Sequence, residues 1–304
     1  MHWNQSSLTR VGTVILLLTM LIAPVACQST EIANVAPVRA LIIGNDYVGT
    51  GYDLDNPVRD ARLVATKLNQ QGHEVRTVLN QTSSELESSL DQFISGIDEN
   101  EIVFVYFSGH GLQENNENYL LTNDGGAIST RELIAALHDR ATSIVTVLDA
   151  CRTPPQLGST TEGDALNTID VVSLAKTRSI EIEGFAEIPK TISLDGSDGV
   201  GLSEMELDFR DVYVAFSTAP NRVAYDKPLK EGEVRSNSPF AIAFADSLEL
   251  RRSFDEVMNA TSETVMKLTN QRQVPWRQSS FSSELYLNGQ PQVFDESSVQ
   301  IPPL

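Results

Sequence analysis

The chain has 304 residues, a formal net charge of −19 and two cysteines, which leaves room for one large α/β domain with a leader or an insertion. Such an acidic balance excludes nucleic acid as the expected partner and makes an acidic surface the default, compatible with basic peptide substrates but not locating a site for them. A structural disulfide is not expected, because Cys27 and Cys151 lie in segments with different jobs.

Residues 1–27 read as a leader. Arg10 precedes an uncharged run from Val11 to Cys27, long for a buried strand and marginal for a membrane span. The run ends in Pro24-Val25-Ala26-Cys27, which resembles a bacterial lipoprotein processing site with Pro where Leu is usual. On that reading Cys27 is the lipidated first residue of an exported protein on the bacterial cell envelope, tethered to the membrane by residues 28–37. A conventional signal peptide cleaved nearby and an uncleaved anchor are the alternatives. Cys151 is then the sole free thiol, and a free thiol in an oxidising compartment is easier to explain by reactivity than by packing.

The folded body is expected over 38–288. Ala40–Ile43 reads as a buried strand ending at Gly44-Asn45, followed by a loop to Asn56. Asn56-Pro57 reads as a cap with Pro in the first helical turn, and Val58, Ala61, Val64, Ala65 and Leu68 form an apolar stripe at helical spacing that stops near Gly72. A second strand, Glu74–Leu79, precedes a capping box of Thr82 and Glu85 and a helix with core face Leu86, Leu90, Phe93, Ile94 and Ile97. This alternation of strand and helix predicts a doubly wound sheet.

Two apolar runs then lead into reactive side chains. Ile102–Phe107 runs into Ser108-Gly109-His110-Gly111, and Ile144–Leu148 runs into Asp149-Ala150-Cys151-Arg152. Between them lie a short strand or hairpin at Tyr119–Leu121 and a helix capped by Ser129 with Glu132 and running to Leu137. A helix-sized connection predicts that the two runs are parallel neighbours, which brings His110 and Cys151 to the carboxyl edge of the sheet, where open α/β folds bind ligands. A thiol becomes nucleophilic on losing its proton, and an imidazole can take that proton and return it to a leaving amine. Bare Gly109 and Gly111, with the amide of Cys151, are the candidate oxyanion hole. The bland alternative is a small core cysteine and a satisfied polar histidine. His138 is assigned to a solvated helix end and His73 to a loop, since neither follows a buried strand.

Residues from about 155 to 208 form a polar, acidic insertion with a strand or helical segment near Ile169–Leu174. Asp195-Gly196-Ser197-Asp198-Gly199 faintly suggests a calcium loop but lacks the ligand spacing and the terminal Glu. Val212–Phe216 reads as a strand, with Ser217-Thr218-Ala219-Pro220 bordering the cleft. Ser238-Pro239 opens a helix with Phe240, Ala243, Phe244 and Ser247 on one face, and Ser253 with Glu256 boxes another carrying Val257, Thr261, Val265 and Leu268. Trp276 is expected in the core, and residues 289–304 read as a tail.

The segments RALIIGNDY, SGHG, DACR, VYVAFSTAPNRVAYD, NSPFAIAFADSLE and QVPWRQSSFSSELYL together resemble the caspase and metacaspase superfamily of cysteine peptidases, in its bacterial caspase-like branch, over about residues 38–288. The resemblance implies a three-layer sandwich, a mainly parallel sheet with helices on both faces. It implies a cysteine endopeptidase with a Cys151–His110 dyad, a peptide or protein substrate and no required cofactor or catalytic metal, with calcium activation known in part of the family. The metacaspase positions that line the pocket for a basic residue before the scissile bond match Asp60 and Asp149, and Ser108 matches another. Members that cut after Asp carry Gln in place of Asp149, so like-charge repulsion disfavours an acidic substrate. Lys176, Arg178 and Lys190 are candidate self-cleavage positions. Asp60 also reads as a helix N-terminal acid and Ser108 as a turn residue. A non-catalytic peptide-binding module on the envelope, or another hydrolase or transferase using the same dyad, stands as an alternative.

Overall fold

The computed structural model describes residues 36–50, 53–114, 117–151, 168–170, 191–193, 202, 204–205, 208–220, 224–229 and 237–288. The chain divides into units 1–32 and 33–304, and all the described residues belong to the second.

The elements run β1 (Val38–Gly44), α1 (Pro57–Gln70), β2 (Glu74–Leu79), α2 (Ser83–Ser95), β3 (Ile102–Glu114), β4 (Glu117–Leu121), β5 (Ala127–Ser129), α3 (Thr130–His138), β6 (Ser143–Cys151), β7 (Thr168–Asp170), β8 (Thr191–Ser193), β9 (Val212–Phe216), α4 (Pro239–Ser247), α5 (Phe254–Leu268) and β10 (Trp276–Ser279). The sheet has the order β10-β9-β6-β3-β1-β2. Its pairs are parallel except β10 against β9. From the far half of β3 an antiparallel extension leads through β4 to β5. β7 and β8 pair antiparallel in a separate small sheet.

Alternation along the strands divides the core in two. On β3, Val103, Val105 and Phe107 pack with Leu86, Leu90 and Phe93 of α2 and Leu133, Ile134 and Leu137 of α3. Ile102, Phe104 and Tyr106 of the same strand pack with Ala61, Val64 and Leu68 of α1, Phe240 and Phe244 of α4, and Phe254 and Val257 of α5. Successive strand residues point to opposite faces, so a run that is apolar throughout requires a helical layer on each side. The expected α/β sandwich is what forms.

Local chemistry places the helix ends. Thr82 with Glu85 and Ser253 with Glu256 both close reciprocal capping boxes. Ser129 and Ser238 accept from the amides of Glu132 and Ala241. The start of α1 departs from expectation: the side chain of Asn56 makes no cap bond and donates to the Asp226 carbonyl, while Asp46 Oδ1 accepts from the amide of Val58 at 2.8 Å. The fixed φ of Pro57 starts the helix and a carboxylate 12 residues before Val58 completes it, so Asn56 is released to tie α1 to the segment after β9.

Three further expectations change. β3 and β6 continue past their apolar runs, so His110 lies within β3 and Cys151 is the last residue of β6. His138 lies in the last turn of α3 as expected, but half-buried, with its ring 4.8 Å from that of Phe209 between centroids. Ile97 is buried beyond the end of α2. Trp276 packs on Phe216 at the edge of the core, as expected. No helix among the described residues is long and apolar enough to cross a membrane.

Candidate active site

β1 is followed outward by β2, and the chain then returns to the other side of β1 to form β3. Such a reversal of direction opens a crevice at the carboxyl ends of the strands. A cleft of about 290 Å³ lies there, lined by Leu54 and Pro57 after β1, Asp60 in α1, Ser108 and Gly109 in β3, Asp149 in β6, Ala224, Tyr225 and Asp226 after β9, and Ser238 before α4.

His110 and Cys151 are register partners on β3 and β6, one step beyond the pair Gly109 and Ala150 and two beyond Ser108 and Asp149. Neighbouring strands lie about 4.8 Å apart, which fixes the separation of the two backbones. The His110 ring is buried, with its centroid 4.6 Å from that of Tyr47. The Tyr47 hydroxyl accepts from the His110 amide at 2.9 Å and donates to the Leu121 carbonyl at 2.9 Å. Tyr47 is fully buried and has φ +57, unusual for a residue with a Cβ. Its amide bonds Asn123 Oδ1 at 3.1 Å, which helps hold the turn.

The glycines flanking His110 have packing reasons. A Cβ on Gly109 would lie 2.7 Å from the Tyr47 hydroxyl, and one on Gly111 would lie 2.9 Å from Leu202 Cδ2. Within Gly109–Gly111 the His110 amide is already occupied by Tyr47.

The cleft is acidic by construction. Asp60 Oδ1 accepts from Asn237 Nδ2 at 2.8 Å and from the Ser238 amide at 3.0 Å. Asp149 Oδ2 accepts from the Ser238 hydroxyl at 2.8 Å and the Tyr106 hydroxyl at 3.0 Å. Burial, and then the charge of Asp149, push the Asp60 carboxyl up to about 8. Burial also pushes Asp149 up to about 6, against the hydroxyls of Ser238, Ser217 and Tyr106, which favour its ionised form. Tyr106 is held well above the usual phenol range by burial and by both carboxylates, so it remains an O–H donor. Asp226 is raised as well, chiefly by burial. Among the described residues that line the cleft there is no Lys or Arg.

The sequence model of one family, the caspase domain, matches residues 38–286. The chain belongs to the caspase family of cysteine peptidases. None of the curated proteins compared matches it.

Within this caspase domain, Asp60, Ser108 and Asp149 converge on the cleft, and His110 stands beside it through Gly109. Asp60 is an acid of the first turn of α1, at its fourth position, and it also lines the cleft, 1% exposed. Ser108 is a buried strand residue and not part of a turn. Two participants escaped the sequence reading. Asp226 was hidden in a loop whose expected cleft residues were Ser217–Pro220; Ser217 and Thr218 are fully buried, and Ala224–Asp226 form the wall. Ser238 was legible only as a helix cap.

Cys27, Lys176, Arg178, Lys190, the 195–199 segment and the 289–304 tail lie outside the described residues. Among the described residues no group of three or more His, Cys, Asp or Glu is placed to hold a metal.

Proposed function

We propose that this caspase-family protein is an endopeptidase that cuts after Arg or Lys through a Cys151–His110 dyad. The observation that carries the specificity is the convergence of Asp60, Asp149 and Asp226 on one cleft, with no Lys or Arg among the described residues that line it. Buried carboxylates held above their usual range gain most from a cation entering beside them, and a guanidinium can bond two carboxylates at once. An acidic side chain would meet like charge from Asp149 and Asp226 there.

In the proposed reaction the two residues act in turn. His110 takes the thiol proton, and the Cys151 sulfur attacks the carbonyl carbon beyond the basic side chain. The tetrahedral intermediate places its oxyanion toward the amides of Gly109, Gly111 and Cys151. It collapses with loss of the amine, which leaves carrying the proton from His110, and a thioester remains. Water, deprotonated by His110, cleaves the thioester and restores the thiol.

Hydrolysis of matched fluorogenic peptides ending in Arg, Lys or Asp, with Cys151→Ala as control and with and without calcium, tests this reading. Cys151-dependent turnover of the Arg and Lys peptides is expected. Preference for Asp, or turnover that survives Cys151→Ala, would overturn it. We propose further that the protein is exported and anchored by a lipid on Cys27, with basic residues Lys176, Arg178 and Lys190 as sites of self-cleavage. Mass spectrometry of the mature N-terminus, and of fragments formed by the wild type but not by Cys151→Ala, checks both.

A further inference from the structure

Ser238 touches both buried carboxylates of the cleft although it lies 178 residues from Asp60 and 89 from Asp149 in the chain. Its amide donates to Asp60 Oδ1 at 3.0 Å, its hydroxyl donates to Asp149 Oδ2 at 2.8 Å, and the same hydroxyl accepts from the Ala241 amide at 3.0 Å as the cap of α4. A hydroxyl has one proton and two lone pairs. Since the Ala241 amide occupies a lone pair, the single proton is directed to Asp149, and Asp60 is served by the backbone. The side chain is 4% exposed, so water does not compete for these bonds.

The bridge is also stiff. Pro239 follows, and a residue before proline is confined to extended backbone, here φ −62 and ψ 152. The amide and hydroxyl of Ser238 therefore point in directions set before any substrate arrives.

We propose that Ser238 is a positioning residue for substrate selection: it clamps Asp60 and Asp149 at the spacing that receives a basic side chain. The inference rests on the proposed specificity. It assigns Ser238 no contact with the reacting atoms, so it acts on binding and leaves the chemistry at Cys151 alone.

Ser238→Gly separates the clamp from the cap, because Gly is nearly as good a helix cap and keeps the amide to Asp60 while removing the hydroxyl from Asp149. Ser238→Thr retains both. The expected result for Ser238→Gly is a KM for Arg peptides about ten-fold higher with kcat within about two-fold, the pattern of lost uniform binding. The rate of Cys151 alkylation should match the wild type, and Ser238→Thr should recover most of the affinity. Titration with agmatine, a decarboxylated arginine, reads the same pocket without turnover. If the wild type binds agmatine and Ser238→Gly weakens that binding about ten-fold, the clamp stands even where no peptide is cut and the peptidase reading fails. An unaltered KM and agmatine affinity in a folded Ser238→Gly overturns the clamp, as does a joint fall of kcat, alkylation rate and melting temperature. Absence of agmatine binding by the wild type overturns both readings.

Discussion

His110 and Cys151 are register partners on two neighbouring parallel strands, the last of nine such pairs between β3 and β6. Their juxtaposition along the backbone is a product of sheet register.

If the dyad activates the thiol, His110→Ala should slow alkylation of Cys151 at neutral pH by about ten-fold and move its pH profile up toward about 8.5, the ordinary thiol value. Peptide mapping separates Cys151 from Cys27. Peptide turnover should fall by a factor of about 10² or more. An alkylation profile indifferent to His110 would show that the histidine does not act on the thiol.

Tyr47→Phe removes a fully buried hydroxyl that serves the His110 amide and the Leu121 carbonyl. The Asn45 Nδ2 group also bonds that carbonyl, at 3.0 Å, so the heavier loss falls on the amide. Unfolding in urea should show a destabilisation of about 1–3 kcal/mol, the cost of leaving a buried donor unmade. A change within error would mean that the hydroxyl contributes nothing net.

Asp60 makes stability depend on pH with a definite sign. Its carboxyl sits at about 8 in the fold against an ordinary 3.8, so across that window the fold retains a proton that the unfolded chain releases. This contribution is fully present below about pH 4 and is lost as pH rises through about 8, with a slope of up to about 1.4 kcal/mol per pH unit. Asp149, raised to about 6, acts in the same direction, and the charges of Asp226 and the hydroxyl of Tyr106 border the pair. Urea unfolding from about pH 5 to about pH 8 should show a flatter dependence for Asp60→Asn. Parallel curves for the two proteins would contradict the assignment.

Asp226 is less enclosed than the other two acids and its effect should be smaller. Asp226→Asn is expected to raise KM for Arg and Lys peptides by about three-fold at low salt, with the difference shrinking as salt screens it. A loss as large as that of Asp149→Asn would place Asp226 in direct contact with the substrate cation.

Gly44 is where α1 comes closest to β1: a Cβ there would lie 2.7 Å from both Ala61 Cβ and the Pro57 carbonyl oxygen. Gly44→Ala should destabilise the fold by about 1–3 kcal/mol, because backbone cannot yield as a flexible side chain can. Since α1 carries Asp60, KM for basic peptides should rise with it. Wild-type thermal stability in this variant would refute the close approach.

Much of this architecture is local information. The apolar run Ile102–Phe107, the box of Thr82 with Glu85, and Pro57 and Pro239 at helix starts each declare an element through short-range sterics and hydrogen bonding, so the order of strands and helices was readable from the chain. The two apolar runs also announced His110 and Cys151, because each residue follows a strand buried on both faces at its carboxyl end, the edge where such sheets bind ligands. What the chain alone could not decide is which distant residues complete the cleft. The hydroxyl of Ser238 looks like a helix cap until α4 is packed beside β6, and Asp226 looks like a loop acid until Asn56 draws its segment against α1. Asn56 itself leaves its expected capping role because Asp46 reaches the Val58 amide first. Burial and like-charge proximity, which raise Asp60 to about 8, exist only once α1, β6 and α4 meet. Those are properties of the assembled field and solvent exclusion, and no residue carries them alone.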